Sequence, residues 1–275
     1  MYRKVLFIAA AALISIAIFV TVFNMVKRRF VRPQATHPGK AYVYEGREDL
    51  PAVALVLDDF GYTKRNLNGV RELGIPLTLA VLPNTPYSAA VCSFAEANGM
   101  EVILHMPMEP ESDAVALEKD TLSSEMEPEE VTGIIEKAFK SVPSARGMNN
   151  HMGSKATRDS SFMRVVLSDL KDRDMFFLDS RTCRGGVSED IALQLELPYL
   201  KRDVFIDNEL EREKIKKQLA RIEKMALGGS NVVAIGHDRT MTIEVLDEVV
   251  PQMRKNGIRF VTLSEMMEEN AGSGH

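Results

Sequence analysis

Three histidines and a pair of aspartates occupy the same kind of position in this 275-residue sequence. Each follows directly on a short run with the length of a β-strand: Asp58 and Asp59 follow VALVL, His105 follows EVIL, His151 follows RGMNN, and His237 follows NVVAIG. If helices wind these strands into a parallel sheet, their carboxyl ends meet at one rim, where ligands bind. Carboxylates and imidazoles gathered at such a rim are typical of a metal-dependent hydrolase.

Asp179 is a further carboxylate at such a position, because it follows the run MFFL at 175–178. Taken singly, these residues have structural interpretations: the aspartate pair as a turn or helix cap, and each histidine as a hydrogen-bonded structural residue. Taken together they favour a functional site, since structural histidines have no reason to gather at one end of the strands. Adjacent residues of an extended strand point to opposite sides. We therefore expect one of Asp58 and Asp59 to face the mouth and the other to face a neighbouring loop.

After Pro51, strand-length runs alternate with helical patterns, which predicts βα units and a parallel sheet. The predicted strands are Val53–Leu57, Leu77–Leu82, Glu101–Leu104, Arg146–Asn150, Met175–Leu178, Asp203–Ile206, Asn231–Ile235 and Arg259–Leu263. The predicted helices are Lys64–Leu73, Tyr87–Asn98, Pro128–Lys140, Ser160–Asp172, Val187–Leu195, Glu211–Leu227 and Ile243–Lys255. This α/β pattern favours one barrel or near-barrel in residues 51–270 over two domains, with an open doubly wound sheet as the alternative. No glycine-rich phosphate loop follows the first strand, which disfavours a nucleotide-binding fold.

The first 33 residues differ in composition from the rest. Residues 5–26 form an uncharged apolar run, long enough for the about 20 residues that cross a bilayer. The KRRF segment that follows at 27–30 is a poor cleavage site for a signal peptide. We therefore predict a signal anchor, one transmembrane helix, at 1–33 and a linker at 34–50. Basic residues flank the run on both sides, so charge alone leaves the orientation open.

The charge of the remaining chain limits its partners. The sequence has 34 basic and 39 acidic side chains, and six of the basic ones precede residue 34, which leaves a formal charge of −11 on the rest. A domain this acidic is not expected to bind nucleic acid. The two cysteines, Cys92 and Cys183, are too few for a disulfide framework, and whether they pair stays open.

Five ordered segments give the chain a family resemblance: LVLDDFG from Leu55, LHMPMEP from Leu104, GMNNHMGS from Gly147, FLDSRT from Phe177 and AIGHD from Ala234. They resemble the divergent branch of the polysaccharide deacetylases, over roughly Ala52 to Met266. The resemblance implies a distorted (β/α)7-8 barrel of the polysaccharide deacetylase type. It also implies export, which favours a periplasmic domain on a single-pass anchor in the inner membrane.

Carried over by position, the resemblance implies that Asp58 is the general base and His237 the general acid. It implies a divalent metal, zinc by preference, held by Asp59, His105 and one further residue. Ordinary deacetylases have a second histidine four residues after the first, but this sequence has Glu109 there. Either Glu109 completes the site or His151 does, and we prefer His151.

Four residues are assigned further roles near the mouth. Asp179 is expected to orient His237 or Asp58. Asn150, Glu109 and Arg181 are candidate substrate contacts, with Arg181 binding a hydroxyl or a carboxylate.

The leading hypothesis is a metal-dependent deacetylase that removes N-acetyl groups from an envelope polysaccharide or peptidoglycan-type glycan. A weakly active or inactive envelope module that binds glycan or protein is an alternative, favoured by Glu109 in place of histidine. A metal-dependent amidase for another amide is a third possibility, because the same water attack serves both bonds.

Overall fold

The computed structural model describes residues 50–272. The predicted anchor at 1–33 lies outside the described residues, and so does the predicted linker except for Leu50. No helix between residues 50 and 272 is both long and apolar enough to cross a membrane.

Strands and helices alternate along most of the described chain, as the sequence predicted, although two short strands, Tyr199–Lys201 and Val204–Phe205, follow each other without a helix between them. The strands are β1 (Ala52–Phe60), β2 (Thr78–Val81), β3 (Glu101–Met108), β4 (Gly147–Met152), β5 (Phe176–Asp179), β6 (Tyr199–Lys201), β7 (Val204–Phe205), β8 (Val232–His237) and β9 (Arg259–Val261). The α-helices are α1 (Leu67–Glu72), α2 (Ser88–Ala97), α3 (Pro128–Ser141), α4 (Ser160–Asp172), α5 (Ser188–Leu195), α6 (Arg212–Leu227), α7 (Thr240–Lys255) and α8 (Leu263–Gly272).

The strands form one parallel sheet in the order β6-β5-β4-β3-β2-β1-β8-β7, with β9 paired to β1. Among the described strands, β6 and β7 stand at the two ends of this order without pairing to each other. The sheet is therefore a half-barrel, which confirms the distorted barrel and excludes the nucleotide-binding strand order.

Alternate residues of β1 pack into two different apolar clusters. Val53, Leu55 and Leu57 pack with the helices, whereas Ala52, Ala54 and Val56 pack with other strands and with α8. Burial on both faces explains why this strand reads as a continuous apolar run rather than an alternating one. The layers on both sides fix the sheet, and with it the rim that carries the polar residues.

Several element boundaries differ from the prediction. The strands β1, β3, β4 and β8 continue past their predicted ends, so Asp58, Asp59, His105, His151 and His237 lie in the last part of strands rather than beyond them. The short strand β6 and the helix α8 were not predicted. With only three residues, Tyr199–Lys201 gives too short a period-two pattern to be recognised.

Candidate active site

A bulge in β1 brings both aspartates to one side. The register of β1 on β2 shifts between Leu57 and Phe60, and Asp59 has a left-handed φ of 67°. As a result Asp59 Oδ1 lies 3.1 Å and Asp58 Oδ2 3.8 Å from His105 Nε2. The expectation that the two side chains point apart was wrong, because an extra residue in a strand changes its side-chain alternation locally.

Asp59, His105 and His151 form a compact three-residue cluster at this rim. Asp59 Oδ1 lies 3.1 Å from His105 Nε2 and 3.1 Å from His151 Nδ1, and the two nitrogens are 3.0 Å apart. Tetrahedral zinc, with bonds of about 2.0–2.1 Å, would separate its ligand atoms by about 3.3 Å. Two imidazole nitrogens and one carboxylate oxygen at this spacing fit such an ion.

Asn149, which the sequence analysis did not single out, sets the orientation of His105. Its Nδ2 donates to Asp58 Oδ1 over 2.9 Å, because a carboxylate can only accept. Its Oδ1 therefore faces His105 Nδ1, at 2.8 Å, and that nitrogen carries the proton. The lone pair of His105 is then on Nε2, the atom that faces Asp59, as a metal ligand requires.

Glu109 lies in a different set of contacts. Its carboxylate is 2.7 Å from Lys155 Nζ and accepts hydrogen bonds from the hydroxyls of Ser123 and Ser124. These contacts hold the long connection between β3 and α3 against the segment after β4. Of the two residues considered as the third ligand, the structure places His151, and not Glu109, beside Asp59 and His105.

Burial and neighbouring charges shift the pKa values of adjacent groups at this rim in opposite directions. Burial raises the pKa of Asp58, and the charge of Asp59 adds to this effect. Burial also acts to raise the pKa of Asp59, but hydrogen bonds from His105 and His151 outweigh it and hold that pKa well below its usual range. Burial lowers the pKa of His105, but Asp58 and Asp59 outweigh it and raise that pKa to about 9. The negative potential that favours this proton also favours a cation in its place.

His237 lies beside this cluster because β8 pairs with β1, with Asp58 directly opposite His237 in the register. Asp207 holds His237 at two points: His237 Nδ1 is 2.7 Å from Oδ1, and the His237 backbone N–H donates to Oδ2 over 3.1 Å. Thr242 donates a third hydrogen bond to this fully buried carboxylate. Burial acts to raise the pKa of Asp207, but the hydrogen bonds from His237 and Thr242 and the nearby charges lower it.

The predicted role of Asp179 beside His237 or Asp58 is therefore corrected, since Asp207 has that position at His237 and Asn149 contacts Asp58. Asp179 instead accepts from the Tyr199 hydroxyl and from the backbone N–H of Arg181, two residues further on. The signal that selected the other rim residues also applies to Asp207, because it directly follows the predicted strand Asp203–Ile206.

Asn150, a predicted substrate contact, is buried. Its Nδ2 donates to the carbonyl of Met152 over 2.7 Å, and its Oδ1 accepts from the backbone N–H of Ser180 over 2.9 Å. Asn150 thus joins the end of β4 to the loop after β5. Arg181, in that loop, is exposed.

Comparison with known proteins places nearly the whole described sheet in one family. The profile of the divergent polysaccharide deacetylases matches residues 55–267. The chain is 36% identical over 217 residues to the uncharacterized protein YibQ of Escherichia coli K12, covering 79% of this chain and 67% of that protein.

Solved structures share the fold at lower identity. The crystal structure of the uncharacterized protein ATU2773 from Agrobacterium tumefaciens C58 matches with a TM-score of 0.75 and 19% identity, over 87% of this chain and 94% of that one. The peptidoglycan deacetylase PdaC of Bacillus subtilis has a TM-score of 0.54 and 15% identity, over 82% and 94%. The CE4 family pseudoenzyme BA3943 of Bacillus anthracis has a TM-score of 0.51 and 12% identity, over 81% and 67%. The fold is thus shared by proteins with and without activity.

Proposed function

Because the chain belongs to the divergent polysaccharide deacetylase family, we propose that it is a metal-dependent hydrolase that removes N-acetyl groups from a bacterial envelope glycan. The observation that carries this proposal is the convergence of Asp59, His105 and His151, whose ligand atoms lie 3.0–3.1 Å apart. The donor set favours zinc. When bound, the cation supplies a Lewis acid that polarises the acetyl carbonyl and acidifies water.

Asp58 is the residue we assign as general base. It lies next to the cluster, with Oδ2 at 3.8 Å from His105 Nε2, and Asn149 fixes its other oxygen. Burial raises its pKa, which makes the carboxylate a stronger base than one in water. Asp58 therefore takes the proton of the water that attacks the acetyl carbon.

His237 is the residue we assign as general acid. Asp207 holds its Nδ1, which leaves Nε2 as the nitrogen that donates a proton to the leaving amine. Without that proton the amine is a poor leaving group, and proton transfers of this kind contribute roughly 10²–10⁴-fold to a rate. The direct pairing of Asp58 with His237 puts base and acid on adjacent strands of the same rim.

The cellular setting belongs to the same proposal. The apolar run at 5–26 would anchor the chain in the inner membrane, with the domain in the periplasm, where an acetylated envelope glycan is the substrate. The acidic charge of the residues after 33 disfavours nucleic acid as a partner.

Acetate release tests the proposal. The purified full chain, loaded with zinc, is incubated with N-acetylated oligosaccharides and with acetylated peptidoglycan fragments. Asp58→Asn is expected to lower the rate by about 100-fold or more, whereas Asp190→Asn, an exposed change of the same kind on α5, leaves it unchanged. Undiminished acetate release by the Asp58→Asn variant contradicts the proposal.

A glycan-binding module without turnover is the second candidate. It is favoured by Glu109, which replaces the second histidine of the ordinary motif and is paired with Lys155. Stoichiometric zinc and glycan binding, without acetate release from any of these substrates, would support this second function and exclude the first.

A further inference from the structure

Arg181 has a left-handed backbone conformation, and so do two other residues of the rim. Its φ is 49°, and those of Asp59 and Met152 are 67° and 55°. Left-handed backbone is unfavourable for a residue with a Cβ, and where the surrounding structure holds it, it points to function. Asp59 belongs to the cluster and Met152 follows His151, so two of these three residues serve the candidate site directly.

Side chains hold the backbone of Arg181 from both sides. Its N–H donates to Asp179 Oδ1 over 2.6 Å, and its carbonyl accepts from Arg202 Nη2 over 3.0 Å. Arg202 Nε also donates to the preceding carbonyl, that of Ser180, over 2.7 Å. The loop therefore presents the Arg181 side chain from a fixed base.

Two buried asparagines connect this base to the cluster. Asn150 joins the Ser180 N–H to the carbonyl of Met152, directly after His151. Asn149 Nδ2, which donates to Asp58, also lies 3.2 Å from Ser180 Oγ. Arg181 thus directly follows Ser180, whose hydroxyl contacts Asn149, the residue that also contacts Asp58 at the same mouth.

The guanidinium of Arg181 is available for a ligand. The side chain is exposed, and within residues 50–272 no side chain or carbonyl forms a hydrogen bond or ion pair with it. Asp179, the nearest carboxylate along the chain, has its oxygens occupied by Tyr199 and by the Arg181 backbone. Arg202 is a second positive charge close to Arg181, because after burial the charge of Arg181 is the next largest cause that lowers the pKa of the Arg202 guanidinium.

We propose that Arg181 is the centre of an anion subsite, which binds a carboxylate on the sugar next to the acetylated one. A guanidinium presents a planar fork of donors that matches a carboxylate, and Arg202 strengthens the local positive potential. The subsite would select acidic glycans over neutral ones. The identity of the ligand as a glycan rests on the proposed function.

The test compares two tetrasaccharides of equal length in calorimetric titrations of the zinc-loaded full chain. One is a hyaluronan tetrasaccharide, in which glucuronate alternates with N-acetylglucosamine, and the other is neutral chitotetraose. The variant is Arg181→Asn, because asparagine tolerates left-handed backbone. The control is Arg184→Asn, an exposed position in the same loop that loses the same charge.

The wild-type chain is expected to bind the acidic tetrasaccharide more tightly than the neutral one. Arg181→Asn weakens the acidic ligand by about tenfold or more and leaves chitotetraose unchanged, whereas Arg184→Asn changes neither by more than about twofold. Equal binding of the two ligands by the wild type overturns the subsite, and so does an equal loss on both in Arg181→Asn. If the chain binds the acidic tetrasaccharide more tightly but releases acetate from neither ligand, the anion subsite is supported and the proposed hydrolase activity is overturned.

Discussion

Asp207 contacts His237 through both carboxylate oxygens, one on the ring and one on the backbone N–H. The imidazole is therefore fixed in position and in tautomer, with its proton on Nδ1 whenever Asp207 is ionised. A histidine with one nitrogen held in this way can give and take a proton only through the other. This pair is also a source of stability that depends on pH.

We expect Asp207→Asn to lower the free energy of unfolding by about 2–3 kcal/mol at pH 7, since it removes a buried, charge-assisted acceptor. The pKa of Asp207 is lowered in the folded chain from its ordinary 3.8. A lowered carboxyl pKa stabilises the fold above the ordinary value and loses this effect as the pH falls through the folded value. The difference between variant and wild type should therefore shrink below pH 3.8.

Urea unfolding at pH 7 and near pH 3 measures this difference. Asp190→Asn, at an exposed position, is the control and should match the wild type at both pH values. A difference for Asp207→Asn that stays constant across the acid range would show that its carboxylate charge is not the cause.

A measurement of zinc affinity distinguishes His151 from Glu109 as the third ligand. His151→Ala removes one of three ligand atoms that lie 3.0–3.1 Å apart, and should weaken zinc binding by about 100-fold or more. Glu109→Gln removes the charge that pairs with Lys155 and keeps an oxygen that can accept from the two serines, so zinc affinity should remain. Competition with a chromogenic chelator gives both affinities, and the reverse result would assign Glu109 as the ligand.

Besides its contact with Ser180, Asn149 makes two contacts at the site that can be separated, one with His105 and one with Asp58. Asn149→Leu removes both, and is expected to weaken zinc by about 10–100-fold, as changes behind a ligand do. Asn149→Asp keeps an acceptor for His105 but places a second carboxylate against Asp58, so zinc should stay bound while acetate release falls. If both variants lose zinc equally, the hydrogen bond to His105 does not determine the zinc affinity.

The residues of the site were predictable because they share a position. Asp58, His105, His151 and His237 each follow an apolar or strand-length run, and the parallel sheet brings the ends of such runs together. The same rule, applied to the run that ends at Ile206, selects Asp207, which the sequence analysis passed over. The family resemblance was confirmed by the profile match and by the relative in Escherichia coli.

Other features depend on contacts that sequence patterns do not contain. The left-handed turn at Asp59 arises from the register of β1 on β2. Asn149 lies inside β4, and its role follows from its place opposite His105 in the sheet. The partners of Glu109 and the Tyr199 hydroxyl that contacts Asp179 come from other segments, so the separation of both carboxylates from the cluster could be seen only in the folded chain.

Gly147 begins the strand that carries Asn149 and His151, and it packs directly on a ring. A Cβ added at Gly147 would lie 2.6 Å from Cδ2 of Phe176, closer than side-chain atoms approach, and the phenyl ring is buried. We expect Gly147→Ala to lower the free energy of unfolding by about 1–3 kcal/mol, since overpacking in a core forces strands apart.

Phe176→Leu offers a matched test of the cause. Alone it should also destabilise, because it leaves a cavity, but combined with Gly147→Ala it makes room for the added methyl. The double variant should therefore be more stable than the sum of the single losses predicts, by about 0.5–3 kcal/mol for residues in contact. Strictly additive losses in urea unfolding would mean that the alanine is accommodated elsewhere, and that Phe176 does not fix the start of β4.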